Sequence, residues 1–248
     1  HIISTSIEHP SVYNPLGVLE ELGFEVTILP VDHDGHISLK ELEEAIRPDT
    51  ILVSTMYVNN EVGAVEPVEE ISKIIKAKNP STLYHVDAIQ AYGKYVIRPK
   101  KQGIDLLSVS SHKIHGPKGV GFLYIRNGVK IKPLIYGGGQ QAGMRSGTEN
   151  VPGVAGFGAA AKEMYTNHAE KVQKLIELKD YMTDRLGEIE GTVINSKKGE
   201  ASAPQIVSVS FEGVRSEVLL HALEDKGVYV SSGSACSSNH PGISGTLK

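Results

Sequence analysis

Lys113 stands where an apolar strand runs out into a turn of small hydroxyl residues, glycine and proline. The run Asp105-Leu106-Leu107-Ser108-Val109 is followed by Ser110-Ser111-His112-Lys113-Ile114-His115-Gly116-Pro117-Lys118-Gly119. Open α/β sheets carry their chemistry at strand ends. A lysine partly withdrawn from water there loses its charge more readily and serves as an amine nucleophile. The neighbouring hydroxyls and backbone N–H groups are natural phosphate donors. An amine beside a phosphate site suggests pyridoxal phosphate (PLP) held as a Schiff base; the alternative is a solvated surface lysine.

Two further stretches suit the same chemistry. His85-Val86-Asp87-Ala88-Ile89-Gln90 closes the apolar run Thr82-Leu83-Tyr84 and places a carboxylate at its end. PLP needs an anion against its pyridine nitrogen, because the protonated ring is the electron sink. Asp87 fits that need, and Gln90 is placed to hydrogen-bond the phenolic oxygen. Asp87 also reads as a helix N-cap after a strand, and the two readings agree if its side chain points into a cleft. The single cysteine, Cys236, lies in Val230-Ser231-Ser232-Gly233-Ser234-Ala235-Cys236-Ser237-Ser238, with nothing apolar around it. Such a loop reads as an exposed, reactive thiol, where a bystander cysteine is more often a small buried hydrophobe. One cysteine excludes an intramolecular disulfide and argues for a reducing, cytoplasmic setting.

The elements that must position these groups alternate. Strands are expected at Ile2-Ile3-Ser4-Thr5, Phe24 to Leu29, Ile51 to Met56, Thr82–Val86, Asp105–Ser110 and Val120–Ile125. Between them Ser11 to Leu22 reads as a helix stopped by Gly23. The capping box Ser38-Leu39-Lys40-Glu41 opens another that buries Leu39, Leu42, Ala45 and Ile46. Pro67 starts a third, with Val68, Ile71, Ile74 and Ile75 on one face. Such alternation predicts an α/β fold whose mainly parallel sheet is covered on both faces. Residues 1–150 then form a PLP-binding large domain. Val151 to about Leu186 reads as one long helix or two, with 151–167 connecting to a smaller α+β C-terminal domain over 168–248. That domain holds an alternating run from Ile206 to Phe211, a helix from Ser216 to Leu223, a short strand Val228-Tyr229-Val230, and Cys236. Lys113 and Cys236 therefore fall on different domains, with the site expected in the cleft between them.

Composition agrees with a globular enzyme: 248 residues, 40% hydrophobic and 22% charged. A net charge of -4 gives no reason to expect nucleic acid or an anionic membrane as partner. The apolar stretches are strand-sized, so no transmembrane helix is expected; no leader segment is evident at His1, and no metal ligand set is assigned.

Six stretches occur in order: Glu8-His9-Pro10-Ser11-Val12, Val58-Asn59-Asn60-Glu61-Val62-Gly63, His85 to Gln90, Ser110 to Gly119, Gly143-Met144-Arg145-Ser146-Gly147-Thr148, and Ser231 to Cys236. Together they resemble the cysteine desulfurases of the NifS/IscS type, within the aminotransferase class V group of PLP enzymes. The resemblance implies a PLP-dependent transferase fold with Lys113 as the Schiff-base lysine, Asp87 as pyridine partner and Gln90 as donor to the phenolic oxygen. It makes His9 the residue stacked on the ring, although from its position alone a turn residue before Pro10 is the plainer reading. Ser110 and His112 become phosphate ligands, Thr148 a ligand to the phosphate of a partner subunit in a homodimer, and Asn60 a contact to the substrate carboxylate. A plain turn at Asn59-Asn60 stays open. The implied reaction takes L-cysteine to L-alanine, with sulfur passing to Cys236 as a persulfide and on to an acceptor protein such as an Fe–S scaffold. A selenocysteine lyase, another class V aminotransferase and a catalytically silent folding or binding unit are the rivals. The resemblance also implies that a Gly/Thr phosphate loop and a carboxylate-binding arginine lie outside this chain. Taken alone, the chain is therefore expected to bind PLP weakly and to be inactive or nearly so.

Overall fold

In the computed structural model, which describes residues 1–199 and 202–232, short β-branched runs and amphipathic helices alternate as their patterning predicts. The order begins β1 (Ile2–Thr5), α1 (Pro10–Glu21), β2 (Val26–Leu29), α2 (Leu39–Ala45), β3 (Leu52–Met56) and α3 (Val68–Lys78). It continues with β4 (Leu83–Asp87), α4 (Pro99–Gln102), β5 (Leu106–Ser110), a 3-10 turn (Ser111–Ile114) and β6 (Gly121–Ile125). After a second 3-10 turn at Gln140–Gly143 come α5 (Val151–Tyr165), α6 (His168–Gly187), β7 (Thr192–Ile194), β8 (Val209–Phe211) and α7 (Ser216–Glu224). No helix among the described residues is long and apolar enough to cross a membrane.

The main sheet runs β2-β1-β3-β4-β5-β6. Its first five strands are parallel, and β6 returns antiparallel along β5. Because side chains alternate across a strand, the register puts Ile3, Val53, Tyr84, Val86, Leu107 and Val109 on one face. These residues join Leu42 of α2, Ile71 and Ile75 of α3 and Phe157 of α5 in one apolar cluster. The N-cap half of the capping box forms as its spacing predicts: Ser38 Oγ accepts from the Glu41 amide at 3.2 Å. Leu42, fully buried, anchors the helix it opens.

Both faces are covered at the centre of the sheet, as expected, since Ile2, Ser4 and Ser54 of the opposite face are buried too, but the apolar packing concentrates on this one. The opposite face carries a polar row instead. Ser54 Oγ and Ser108 Oγ lie 2.8 Å from the two ring nitrogens of His85, and Ser4 Oγ donates to the Ser54 carbonyl at 3.0 Å. Ile28 and Leu123, on the same face, are 36% and 45% exposed. Ser4 and Ser54 are buried, so the Ser54 carbonyl and the His85 ring satisfy hydroxyls that water does not reach.

Downstream of α5 three expectations sharpen. The Val151–Leu186 helical stretch is two helices, parted at Asn167, whose φ of 52° is left-handed. Of the alternating run from Ile206, only Val209–Phe211 is a strand, paired antiparallel with β7. Val228 to Val230 is not a strand, and Tyr229 is 81% exposed there. This part is tied to the sheet by buried polar contacts. Lys179 of α6 donates to Ser202 Oγ at 2.6 Å and to the Ala203 carbonyl at 2.8 Å. The Ala203 amide in turn donates to the Gly63 carbonyl at 2.7 Å, and Ser196 Oγ to the Val62 carbonyl at 2.7 Å.

Candidate active site

Parallel strands end on the same edge of a sheet. Because β1, β3, β4 and β5 are neighbours, the four loops that leave their C-terminal ends lie side by side. These loops carry His9, then Asn59 and Asn60, then Asp87 and Gln90, then Ser110, His112 and Lys113. The loops are also bonded to one another. The Met56 amide donates to Glu8 Oε1 at 2.7 Å and the Tyr57 amide to the Asp87 carbonyl at 2.9 Å, while the Ala88 amide reaches the Ser108 carbonyl at 3.0 Å.

Asp87 is 6% exposed, and its Oδ1 accepts from the Ile89 amide at 3.0 Å. Burial pushes its carboxyl above the usual range, opposed by that amide and by the charge of His9. The same His9 charge acts on His112, which is held low by desolvation first, then by Lys113 and Lys118. His9, Asp87 and His112 thus share one electrostatic neighbourhood. His9 is also the N-cap of α1, the plainer reading of its position. Its Nδ1 accepts from the Ser11 amide at 3.1 Å, which leaves the proton of a neutral ring on Nε2. The turn reading at Asn59-Asn60 belongs to Asn59: its buried Oδ1 accepts from the Glu61 and Val62 amides at 2.9 and 2.8 Å. Asn60, half-buried, is left for another task.

Lys113 is half-buried in the 3-10 turn after β5. Its carbonyl accepts from Lys94 Nζ at 2.8 Å. Gln90 is half-buried, and its carbonyl accepts from Gln205 Nε2 at 2.9 Å. Thr148 is exposed in the segment before α5, and no hydrogen bond or ion pair given for the described residues joins it to the strand-end groups. Cys236 lies outside the described residues. Sequence reasoning did not single out Glu8, Lys94 or Gln205. Each touches backbone groups of other loops, and a sequence carries no mark of where those groups lie.

Five buried or part-buried groups near these loops make stability depend on pH in an unusual direction. Burial raises Glu8 and Glu66 from 4.5 to about 8, so the folded chain keeps protons that the unfolded chain releases. Stability from these two therefore falls as pH rises toward 8. Burial lowers His85 from 6.5 to about 4, and that opposite slope offsets one carboxylate until pH 6.5. Above 8 the trend reverses, because Lys94 and Lys179 are lowered by burial from 10.5 to about 8 and the unfolded chain then holds more protons. We expect the unfolding free energy to be lowest near pH 8. The fall between pH 6.5 and 8 amounts to about 2 kcal/mol per carboxylate. Denaturant titrations across pH 6 to 10 check this, and Glu8→Gln should flatten the lower limb. A stability that rises steadily through pH 8 contradicts it.

The comparisons with known proteins bear on family and fold. The aminotransferase class-V family matches residues 1–248. The cysteine desulfurase IscS of Dictyoglomus turgidum is 44% identical over 240 residues, 96% of this chain and 60% of the relative. That of Methanosarcina thermophila is 47% identical over 239 residues, 96% of this chain and 58% of the relative. A solved NifS-like protein superposes with a TM-score of 0.90 at 44% identity, covering 93% of this chain and 63% of that one. The structure titled SspA in complex with cysteine gives a TM-score of 0.81 at 33% identity, covering 100% of this chain and 68% of that one. The chain spans 60% and 58% of the two curated relatives. A match along its whole length, on a mostly parallel sheet with lysine and aspartate at adjacent strand ends, decides the family: the chain belongs to the aminotransferase class-V family.

Proposed function

We propose that this chain is the PLP-bearing and thiol-bearing part of a cysteine desulfurase, which converts L-cysteine to L-alanine and leaves the sulfur as a persulfide on Cys236. The observation that supports this best is the convergence of His9, Asp87, Ser110 and Lys113 on neighbouring strand ends. The division into a PLP-binding part over 1–150, a connecting helix over 151–167 and a smaller part over 168–248 belongs to the same proposal.

The residues present fit PLP. Asp87 is nearly buried, yet only its Oδ1 takes a hydrogen bond among the described residues, so Oδ2 remains to accept from a pyridinium N–H. Gln90 has its carbonyl held by Gln205, and its side-chain amide serves the phenolic oxygen. Ser110 and His112 serve the phosphate, together with Thr148 supplied across a homodimer. When bound, PLP supplies the electron sink for negative charge at the substrate Cα.

The chain's own groups do the rest. Lys113 Nζ would hold the cofactor, and its free amine would take the Cα proton of the substrate. Asp87 would accept the hydrogen bond of a protonated ring nitrogen and so favour the protonated ring. His9 would stack on the ring, with Nε2 as its proton-bearing atom when neutral. Asn60 orients the substrate carboxylate. The thiolate of Cys236 attacks the sulfur of L-cysteine: an S–S bond forms, the C–S bond breaks, and the carbon fragment leaves as alanine after protonation. No external oxidant is required. The persulfide passes to an acceptor such as an Fe–S scaffold, in a cytoplasmic setting.

The test is to add PLP to the full-length protein of which this chain is proposed to be a part, then L-cysteine or L-selenocysteine, and to measure alanine. We expect a visible absorbance band on PLP addition, and alanine from L-cysteine with one sulfur left on the protein. Alanine from selenocysteine alone would make it a selenocysteine lyase. Absence of the visible band would refute a PLP enzyme altogether.

A further inference from the structure

We infer that Lys94 is a positioning residue for Lys113: its buried ammonium grips the Lys113 carbonyl oxygen and fixes the turn from which the Lys113 amine projects. This rests on the reading of Lys113 as the cofactor lysine. Lys94 is 9% exposed, and Nζ lies 2.8 Å from that oxygen. The Lys113 carbonyl has no backbone donor among the described bonds, since the closing amide of its short turn, Gly116 N, goes to the Ser111 carbonyl at 3.0 Å. The turn ends at His115 with φ 65°, so no further helical turn supplies donors. Without Lys94 the carbonyl would depend on water.

The loop that presents Lys94 is shaped for the purpose. The Ala91, Tyr92, Lys94 and Tyr95 amides bond back to the Ala88 and Ala91 carbonyls at 2.8 to 3.0 Å, coiling the chain tightly after β4. Gly93 has φ 84°, and a Cβ there would fall 2.9 Å from Cγ2 of Ile114, so only glycine lets this loop lie against the Lys113 turn. The Gly93 amide donates to Tyr165 Oη at 3.0 Å, which pins the loop to α5. One loop therefore begins at Asp87, which faces the ring nitrogen in our reading, and ends at Lys94, which holds the turn of the covalent anchor.

The chemistry of the contact argues for a task. Among the described residues Lys94 has no carboxylate partner, and burial lowers its charge stability to a pKa of about 8, with the charge of Lys113 adding to the effect. A buried cation beside another cation is costly, and an apolar side chain would fill the same space more stably. What the apolar side chain lacks is a donor for the Lys113 carbonyl.

Lys94→Met and Lys94→Arg test this in the otherwise intact protein. Without cofactor, we expect the methionine variant to keep its melting temperature while the amides from Ile114 to Gly116 exchange about tenfold faster, the size of losing a charged hydrogen bond. With PLP and borohydride, the adduct mapped to Lys113 should form about tenfold more slowly, and the visible circular dichroism per bound PLP should fall. Arginine should recover most of both, because it restores a cationic donor. A methionine variant that matches wild type in exchange and adduct rate overturns the inference. So does one that fails to fold, since Lys94 would then hold the core rather than the turn. Borohydride trapping of wild type on no lysine, or on another lysine, refutes the cofactor reading instead and is recognised before any variant is compared.

Discussion

Lys113→Ala is expected to remove the borohydride-reducible PLP adduct completely and to lower alanine formation by on the order of 10³-fold or more, as loss of a covalent group does in other enzymes. Lys113 is the lysine of the turn that follows β5, half-buried next to Ser110 and His112. A neighbouring amine, Lys94, is buried with its Nζ bonded to the Lys113 carbonyl at 2.8 Å, so it does not stand in. Non-covalent PLP should persist at reduced affinity, because Asp87, Gln90 and the phosphate donors are untouched. Reduction with borohydride followed by peptide mapping reads the outcome. A normal adduct in the alanine variant, wherever it mapped, would end the assignment.

Cys236→Ser should leave PLP uptake unchanged, because it alters none of the groups assigned to the cofactor, and abolish sulfur delivery. The argument is arithmetic as much as chemical. These 248 residues hold one cysteine, so a persulfide mapped to a peptide of this chain sits on Cys236. A serine hydroxyl does not accept sulfane sulfur at neutral pH as a thiolate does. Mass spectrometry of the protein after L-cysteine should find one added sulfur in wild type and none in the serine variant. Undiminished sulfide release by the variant would separate the cysteine from the chemistry.

The sheet was legible because its strands are β-branched runs broken by strong stop signals, and β1 matches its expected Ile2–Thr5 span. Helices α2 and α3 were legible from Ser38, Pro67 and their buried faces. Asn167 was not, because asparagine is only a mild helix breaker until tertiary structure selects its left-handed conformation. The run from Ile206 looked like a full strand, but residues before it are engaged elsewhere. Ala203 bonds to Gly63, and Gln205 to Gln90. Val228 to Val230 has strand-forming residues but no neighbour to pair with among the described residues. At the site, Lys113 and Asp87 announced themselves by residue type at strand ends. Glu8 and Lys94 did not, since charged residues are ordinarily read as solvated and their partners here are mostly backbone groups.

The tie between Ser196 and Val62 spans 134 residues. Apart from the β1–β3 pair, every contact in the main sheet joins strands consecutive in the chain, so the sheet is able to assemble from its beginning as the ribosome delivers it. The Val62 and Gly63 carbonyls then wait, hydrated, until the segment around Ser196 and Ala203 emerges. Closure of this long loop is the slow, entropically costly event. The strand-end loops next to Asn59 and Gln90 therefore take their final shape late in biosynthesis, and on the proposed reading cofactor capture follows the birth of the sheet.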